Sequence, residues 1–234
     1  MCLKKLFCFS KEKENNSEIS TLADYVRIVS SYNNKILLFR GQSDKDYHLI
    51  PYVGRNPKFL INEEQMFLEF KRYYYLYANN RPQTNIDLLF LAQHYGIPTR
   101  LLDWSYNPLV ALYFACCSDS TKDGCVYIHS INPSIVVVKE GHELDNDIFS
   151  TEIKDSFMFL IPDCTDRRYL NQKGMFLWFK NPQQEFTGNI ERIIIKNKKA
   201  ILLDLDKIGI TLSFIYPTLD NLCLEIKNKY IKQL

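Results

Sequence analysis

The segment that decides the fold is LLFLAQHYGIPTRLLDWSYNPLVALYFACC, residues 88–117. It holds two apolar helical patterns joined by a short extended piece. Gly96 and Pro98 end the first helix, and Asn107 with Pro108 begins the second, because these residue types favour helix C-termini and N-termini respectively. The polar side chains between the two helices are flanked by apolar ones, so we expect them to be partly buried and to need partners. Clusters of this kind are where binding and catalytic sites tend to lie.

The segment contains His94, Asp103 and Ser105, the three residue types that a hydrolase triad needs. Ser105 is not in the Gly-x-Ser-x-Gly turn that would expose a nucleophile, so a His/Ser-dependent hydrolase is only our third hypothesis. A metal site built from His48, His94 and Asp103 lacks a helical histidine pair or a carboxylate cluster, and we therefore predict no metal site. Asp103 and Ser105 also precede a helix N-terminus, which favours an anion, either Asp103 itself or a ligand phosphate.

A second candidate feature lies upstream, where the apolar run 35–39 ends in Arg40, Gly41 and Gln42. The run has the length of a strand. An arginine guanidinium offers a planar set of donors to a carboxylate or a phosphate, and glycine lets another backbone approach closely. The pattern predicts an anion-binding strand end. The alternative is that Arg40 simply pairs with an acidic side chain such as Asp103.

The composition limits the class of protein. The 234 residues are 46% hydrophobic and 24% charged, which is typical of a soluble globular chain. The net charge of +2, with both signs interleaved, does not predict binding to duplex DNA. No apolar run is long enough for a signal peptide or a membrane span. Seven cysteines without a Cys-x-x-Cys pair favour a reducing, cytoplasmic location.

We predict a flexible leader over residues 1–18 and one α+β domain over residues 19–234, with a mixed or antiparallel sheet and flanking helices. In the second half, strand patterns occupy residues 125–130, 135–138, 157–161, 175–179 and 191–196. A final helix is predicted over residues 218–234. Its apolar residues, which we expect to face the core, are Leu219, Leu222, Cys223 and Ile226.

Several motifs, in order along the chain, are similar to those of the FRG domain, a bacterial and phage-associated family named for its Phe-Arg-Gly motif. They are Phe39–Gln42, Tyr47–Pro51, Ala92–Ser105, Asn107–Ala115, Gly124–Tyr127, Gln172–Phe176 and Gly209–Leu222. The resemblance runs from about Leu22 to the end of the chain. It is expected to cover the whole predicted domain.

The order of these motifs also resembles, more distantly, that of ADP-ribosyltransferases of the Arg–Ser–Glu type. That resemblance implies a similar sheet arrangement, with NAD as the cofactor. It implies that Arg40 holds a phosphate or a ribose of NAD, and that Ser105, with Arg100 or Asp103, shapes the nicotinamide pocket. Taking the motifs together, we predict that the catalytic residues are Arg40, His94, Asp103, Ser105 and Gln172. We predict that the cofactor-binding residues are Arg40, Gly41, Gln42, Gln93, Arg100 and Trp104.

The catalytic glutamate of the Arg–Ser–Glu ADP-ribosyltransferases has no clear match in this chain. Gln172 lies in the corresponding family element, and Glu185 and Glu191 lie nearby without a recognisable motif. Transfer from NAD passes through an oxocarbenium-like sugar, which a carboxylate stabilises. Asp103 is the candidate for that role.

The leading hypothesis is an NAD-using, ADP-ribosyltransferase-like protein of toxin or phage-defence type that modifies a protein or nucleic-acid target. The alternative is a non-catalytic module that binds a nucleotide or phosphorylated ligand. Arg40, Arg100 and the helix N-terminus at Pro108 would hold that ligand. The sequence makes no prediction about the oligomeric state.

Overall fold

The computed structural model describes residues 16–33, 36–78, 82–118, 121–131, 143–162 and 167–231. Residues 16–18, the end of the predicted leader, form a strand together with Ile19. The rest of that leader lies outside the described residues, and so does the strand predicted over residues 135–138.

One seven-stranded mixed sheet forms the centre of the fold. Its strands are β1 (Asn16–Ile19), β2 (Ile36–Gln42), β3 (Leu101–Ser105), β4 (Gly124–Ile131), β5 (Phe157–Leu160), β6 (Gly174–Phe179) and β7 (Ile190–Ile195). They lie in the order β1-β7-β4-β2-β3-β6-β5. Every neighbouring pair is antiparallel except β1 and β7. The predicted α+β class with a mixed or antiparallel sheet is confirmed.

Helices flank the sheet. They are α1 (Leu22–Ser30), α2 (Pro57–Ile61), α3 (Glu63–Tyr73), α4 (Asn85–His94), α5 (Pro108–Cys116), α6 (Glu143–Asn146), α7 (Arg167–Gln172), α8 (Lys198–Lys207), α9 (Leu212–Ile215) and α10 (Leu219–Ile231). One core cluster joins α1, α5 and α8 to β2, β4 and β7, and another joins α3, α4 and α6 to β3, β5 and β6. No helix in the described part of the chain has the length and apolar character needed to cross a membrane.

Helix α5 begins where the sequence predicted. The Asn107 side chain accepts the Leu109 N–H at 3.0 Å, and Pro108 is the first helical residue. The helix then packs directly against β2 at Gly41, where a Cβ atom would overlap the carbonyl oxygen of Ala111. The close approach that we predicted at this glycine is therefore made by a helix.

The sheet opens between β2 and β3. These two strands pair only at Phe39 and Ser105. On their other sides, β2 pairs with β4 from Ile36 to Gln42, and β3 pairs with β6 from Leu101 to Ser105. The backbone polar groups of β3 that point towards β2 therefore need hydrogen-bond partners other than β2. The resulting gap is where the candidate site lies.

Helix α10 contradicts the sequence prediction, because its apolar residues do not face the core. Leu219 is 74% exposed and Ile226 is 50% exposed, and no residue of the helix is buried. The side of the helix that touches the body carries Asn221 and Glu225, which bond to the Tyr216 carbonyl and the Ser213 N–H. Periodicity correctly predicted an apolar stripe, but it could not tell which way the stripe points.

Candidate functional site

A cavity of about 240 Å³ lies at the gap between β2 and β3. Its walls come from β2, β3, α4, α5, α7 and the chain after α9. The lining residues are Phe39, Arg40, Gly41, Gln93, Asp103, Trp104, Ser105, Val110, Ala111, Phe114, Arg168, Gln172 and Tyr216. Segments far apart in the sequence thus contribute to one site.

Arg40 bridges the gap. Its side chain is only 14% exposed, and its Nη1 donates to the Asp103 backbone carbonyl at 2.6 Å. The same Nη1 lies 3.7 Å from Oδ2 of the Asp103 carboxylate. The Nε atom is buried and has no hydrogen-bond partner among the described residues. The alternative from the sequence, an Arg40–Asp103 pair, is therefore present, but it leaves part of the guanidinium unused.

Burial is the main influence on the Arg40 charge. It lowers the pKa of Arg40 to about 10, and the nearby Asp103 carboxylate opposes that effect. Arg55 lies close enough to lower the Arg40 pKa further, and burial also lowers the pKa of Arg55. Arg40 still carries its positive charge at neutral pH. The gap is thus an electropositive place from which water is partly excluded.

Asp103 sits at the mouth of the cavity with its side chain 60% exposed. Gln93 orients the carboxylate by donating from Nε2 to Oδ2 at 3.0 Å. The Thr99 hydroxyl in turn donates to Gln93 Oε1 at 2.5 Å, which fixes the amide. The carboxylate is therefore held in place while it stays accessible from solvent.

Ser105 lines the cavity, but its hydroxyl is fully engaged. It donates to the Gln172 carbonyl at 2.5 Å and accepts the Asn107 N–H at 2.8 Å. The Gln172 side chain donates from Nε2 to the Ile215 carbonyl at 2.9 Å. These bonds tie β3, α7 and α9 together. Because the Ser105 proton is directed at a carbonyl and not at His94, the triad of the hydrolase hypothesis is not formed.

His94 is separated from the main cavity. Its ring packs 4.8 Å from the Tyr95 ring and 5.7 Å from the Tyr169 ring. It lines a smaller cavity of about 30 Å³, whose walls also include Gln93 and Arg168. The structure therefore places His94 next to the predicted site rather than in it.

Arg100 is not among the residues that line the cavity. Its Nε and Nη2 bond both carboxylate oxygens of Glu63 at 3.0 and 2.7 Å, and both side chains are buried. The guanidinium also lies 4.9 Å from the centre of the Phe149 ring. We therefore correct the prediction that Arg100 binds a ligand together with Arg40, because its charge and donors are used inside the core between α3 and β3.

The remaining predicted residues are divided between the cavity and the other side of the sheet. Gln42 is buried, and its amide donates to the His48 carbonyl at 3.4 Å, away from the cavity lining. Trp104 is 2% exposed and packs its indole against His129 and Phe186. Its Nε1 has no partner among the described residues. The indole of Trp104 therefore packs mainly in the apolar core next to the cavity.

Three residues that complete the cavity had no role in the sequence-based prediction of the site: Phe114, Arg168 and Tyr216. The Arg168 guanidinium lies 4.8 Å from the centre of the Tyr216 ring and donates to the His94 carbonyl at 3.1 Å. Burial raises the pKa of Tyr216, and Arg168 opposes that effect. Arg168 lies in a polar stretch with few local cues, so only the folded chain brings it to Arg40.

Asp103 is the sole carboxylate among the described residues that line this cavity. Glu185 instead holds the loop after β2, with its oxygens 3.0 Å from His48 Nδ1 and 3.2 Å from the Leu49 nitrogen. Glu191 accepts the Tyr32 hydroxyl at 2.6 Å. The described residues also contain no group of three or more His, Cys, Asp or Glu side chains arranged for a metal ion.

Most of the cavity-lining residues lie in a segment of the chain that matches a known family model. Residues 35–124 match the model of the FRG domain. No curated protein and no solved structure matches the chain. The matched residues include β2 with Arg40, α4 with Gln93, β3 with Asp103 and Ser105, and the cavity-lining helix α5. The motifs in this segment and the match agree, and residues 35–124 contain an FRG domain.

Proposed function

We propose that the cavity between β2 and β3 binds the anionic part of a nucleotide-type ligand. The observation that carries the proposal is Arg40, a largely buried cation in the cavity lining whose guanidinium makes one hydrogen bond to the described residues, from Nη1 to the Asp103 carbonyl. A buried cation with unused donors is costly, and a ligand phosphate in the cavity would accept from them. Asp103 keeps the guanidinium in position without filling all of its donors.

The aromatic residues of the cavity favour a ring. Phe39, Phe114 and Tyr216 line the cavity, and the Arg168 guanidinium lies 4.8 Å from the centre of the Tyr216 ring, within cation–π distance. Aromatic side chains stack on nucleobases and on nicotinamide because all of these have planar faces. A phosphate near Arg40 and a ring near Tyr216 would use both the charged and the aromatic residues of the cavity.

The size of the cavity limits the ligand. At about 240 Å³ it is below the range of roughly 300–1,000 Å³ that is usual for drug-sized ligands. It therefore suits a mononucleotide or one half of a dinucleotide. The predicted helix N-terminus at Pro108 adds little, because the Asn107 and Ser105 side chains already engage the first backbone N–H groups there.

Isothermal titration calorimetry with AMP, ADP-ribose and NAD tests the proposal. We expect saturable binding by the wild type and a loss of about 10- to 100-fold in affinity for Arg40→Gln, the size expected for losing charged hydrogen bonds. Arg40→Lys keeps the charge and should lose less. The matched control is Arg27→Gln on α1, which removes the same charge from a side chain that is 77% exposed. Equal affinities for Arg40→Gln and the control would refute the proposal.

A second candidate function is ADP-ribosyl transfer from NAD to a protein or nucleic-acid acceptor. The observation that favours it is the Asp103 carboxylate, which Gln93 orients beside Arg40 at the open end of the cavity. In this reaction the bond between C1′ of the ribose and the nicotinamide nitrogen breaks, and nicotinamide leaves as a neutral molecule. The acceptor nucleophile forms a new bond to C1′ and loses its proton to solvent, while Asp103 stabilises the positive charge that develops on the sugar.

Release of nicotinamide from NAD, measured by chromatography, tests this second function. The wild type should release nicotinamide, and Asp103→Asn should lower the rate by at least tenfold while ADP-ribose still binds. Binding of ADP-ribose without nicotinamide release, even when cell extract supplies acceptors, would leave the site as a binding module only. The toxin or phage-defence setting is proposed from the sequence resemblance alone, and the cytoplasmic location from the cysteine pattern.

A further inference from the structure

Helix α10 is attached to the rest of the protein by its polar side. Asn221 donates from Nδ2 to the Tyr216 carbonyl at 3.0 Å, and Glu225 accepts the Ser213 N–H at 3.1 Å. These two residues are four positions apart and therefore lie on one face of the helix. An amphipathic helix on a globular domain normally buries its apolar face. In α10 the arrangement is reversed.

The face that points away from the body is an apolar stripe. Its members are Leu219, Leu222, Cys223, Ile226 and Tyr230. Leu219, Leu222, Ile226 and Tyr230 are 74%, 44%, 50% and 64% exposed, and Cys223 is also exposed. At 100° per residue the five positions fall within one stripe, opposite Asn221 and Glu225. A contiguous apolar surface of this kind marks an interaction site.

The spacing within the stripe is that of a helix pair. Leu219, Cys223, Ile226 and Tyr230 follow one another at intervals of four, three and four residues, which is the seam of a coiled coil. The seam is about 16 Å long at a rise of about 1.5 Å per residue. Its natural partner is another helix with a matching apolar seam.

The charges beside the seam identify that partner. Asp220 and Lys227 flank the stripe on the same side, seven residues and about two turns apart. If two copies of α10 lie antiparallel, Asp220 of each copy faces Lys227 of the other, and both contacts are attractive. If the copies lie parallel, Asp220 and Lys227 of one copy lie on the opposite side of the pair from those of the other copy, and these attractive contacts do not form. The helix is therefore complementary to itself in the antiparallel arrangement, which a two-fold axis generates.

We propose that α10 is a homodimerisation face, on which two copies of this chain pair antiparallel about a two-fold axis. The apolar seams cover each other, and the Asp220–Lys227 contacts fix the direction. Because the seam is short, the interface is at the small end of the known range and the dimer forms reversibly with a micromolar dissociation constant.

Sedimentation equilibrium of the full chain tests this proposal by charge exchange. The wild type should dimerise, and Asp220→Lys and Lys227→Asp should each weaken the dimer by about tenfold, because each places like charges in both contacts. The double variant, Asp220→Lys with Lys227→Asp, should return to within about threefold of the wild type, since it restores opposite charges. Ile226→Ser should abolish the dimer because it places a hydroxyl in the apolar seam.

The matched control is Lys199→Asp, which makes the same charge reversal on an exposed residue of α8 and should leave the dimer unchanged. Circular dichroism on every variant establishes that α10 and the domain remain folded. A wild type that stays monomeric at about 100 μM would overturn the proposal, since it excludes the micromolar interface. So would a double variant that is no better than the singles.

Flotation with anionic phospholipid vesicles tests whether the apolar stripe of α10 binds a membrane surface instead of a second copy of the chain. An amphipathic helix with lysines can also lie on a membrane surface. Vesicle binding by a monomeric wild type, lost in Ile226→Ser, would assign the stripe to lipid and reject the dimer. A dimer that does not bind vesicles supports the proposal.

Discussion

Replacing Arg100 by Met should destabilise the protein without affecting its ligand affinity. Arg100 and Glu63 form a bidentate pair with N–O distances of 3.0 and 2.7 Å, and their side chains are 9% and 5% exposed. Removing the arginine leaves the Glu63 carboxylate buried without its counter-charge. Breaking a buried pair in this way costs about 3–5 kcal/mol. That is a large part of the roughly 5–15 kcal/mol that stabilises a typical domain.

Urea unfolding followed by tryptophan fluorescence measures this change. In thermal unfolding, a loss of about 3–5 kcal/mol should lower Tm by roughly 6–20 °C, at about 2–4 °C per kcal/mol for a chain of this size. The double variant Arg100→Met with Glu63→Leu should recover much of the stability, because neither charge is then buried alone. Calorimetry on the folded fraction should give an unchanged affinity for ADP-ribose. A variant with normal stability but weakened binding would refute the structural role and return Arg100 to the ligand site.

Three further predictions follow from other contacts of the site. Ser105→Ala should lower the free energy of unfolding in urea by about 1–3 kcal/mol, because the Asn107 N–H and the Gln172 carbonyl lose their partner, and the control Ser31→Ala at an exposed helix end should lower it less. A strong loss of activity at unchanged stability would contradict this prediction. The affinity for ADP-ribose should stay constant between about pH 6 and pH 8 and fall as the pH rises through the Arg40 pKa of about 10, since the anion needs the charged guanidinium; a rise in affinity over that upper range would show that Arg40 is not the anion ligand. In dilute native protein, maleimide should label the exposed Cys223 faster than the buried Cys116, because burial raises the pKa of the Cys116 thiol to about 12. Peptide mass spectrometry of these two sites follows the order, and faster labelling of Cys116 would contradict the prediction.

Local sequence signals predicted the framework around the cavity well. The Asn107–Pro108 start of α5 is where the capping pattern indicated, and the apolar run before Arg40 is β2. Helix α4 begins at Asn85 after the Thr84 cap, with Asp87 completing a capping box, and it ends at His94, just before the Gly96 and Pro98 that indicated its end. Such signals depend on neighbours a few residues apart, which the sequence displays directly.

The failures concern long-range geometry. Arg100 has a neighbour in sequence, Asp103, that looked like part of the same site, but its partner is Glu63, 37 residues upstream on α3. The gap between β2 and β3 arises because the two strands stop pairing, and no residue pattern within either strand reveals that. Arg168 joins the site only because α7 packs beside α4. In each case the deciding contact is made by tertiary packing.

A crystal structure of the protein with ADP-ribose tests the central claim most directly. We predict a phosphate oxygen within hydrogen-bond distance of the Arg40 guanidinium, and a planar ring or the ribose beside Tyr216 and Arg168. Two other cavities offer competing sites, a polar one lined by Lys71 and Asn85 and an apolar one lined by Phe70 and Tyr77. Ligand found in either of them, with the gap between β2 and β3 empty, would contradict the account.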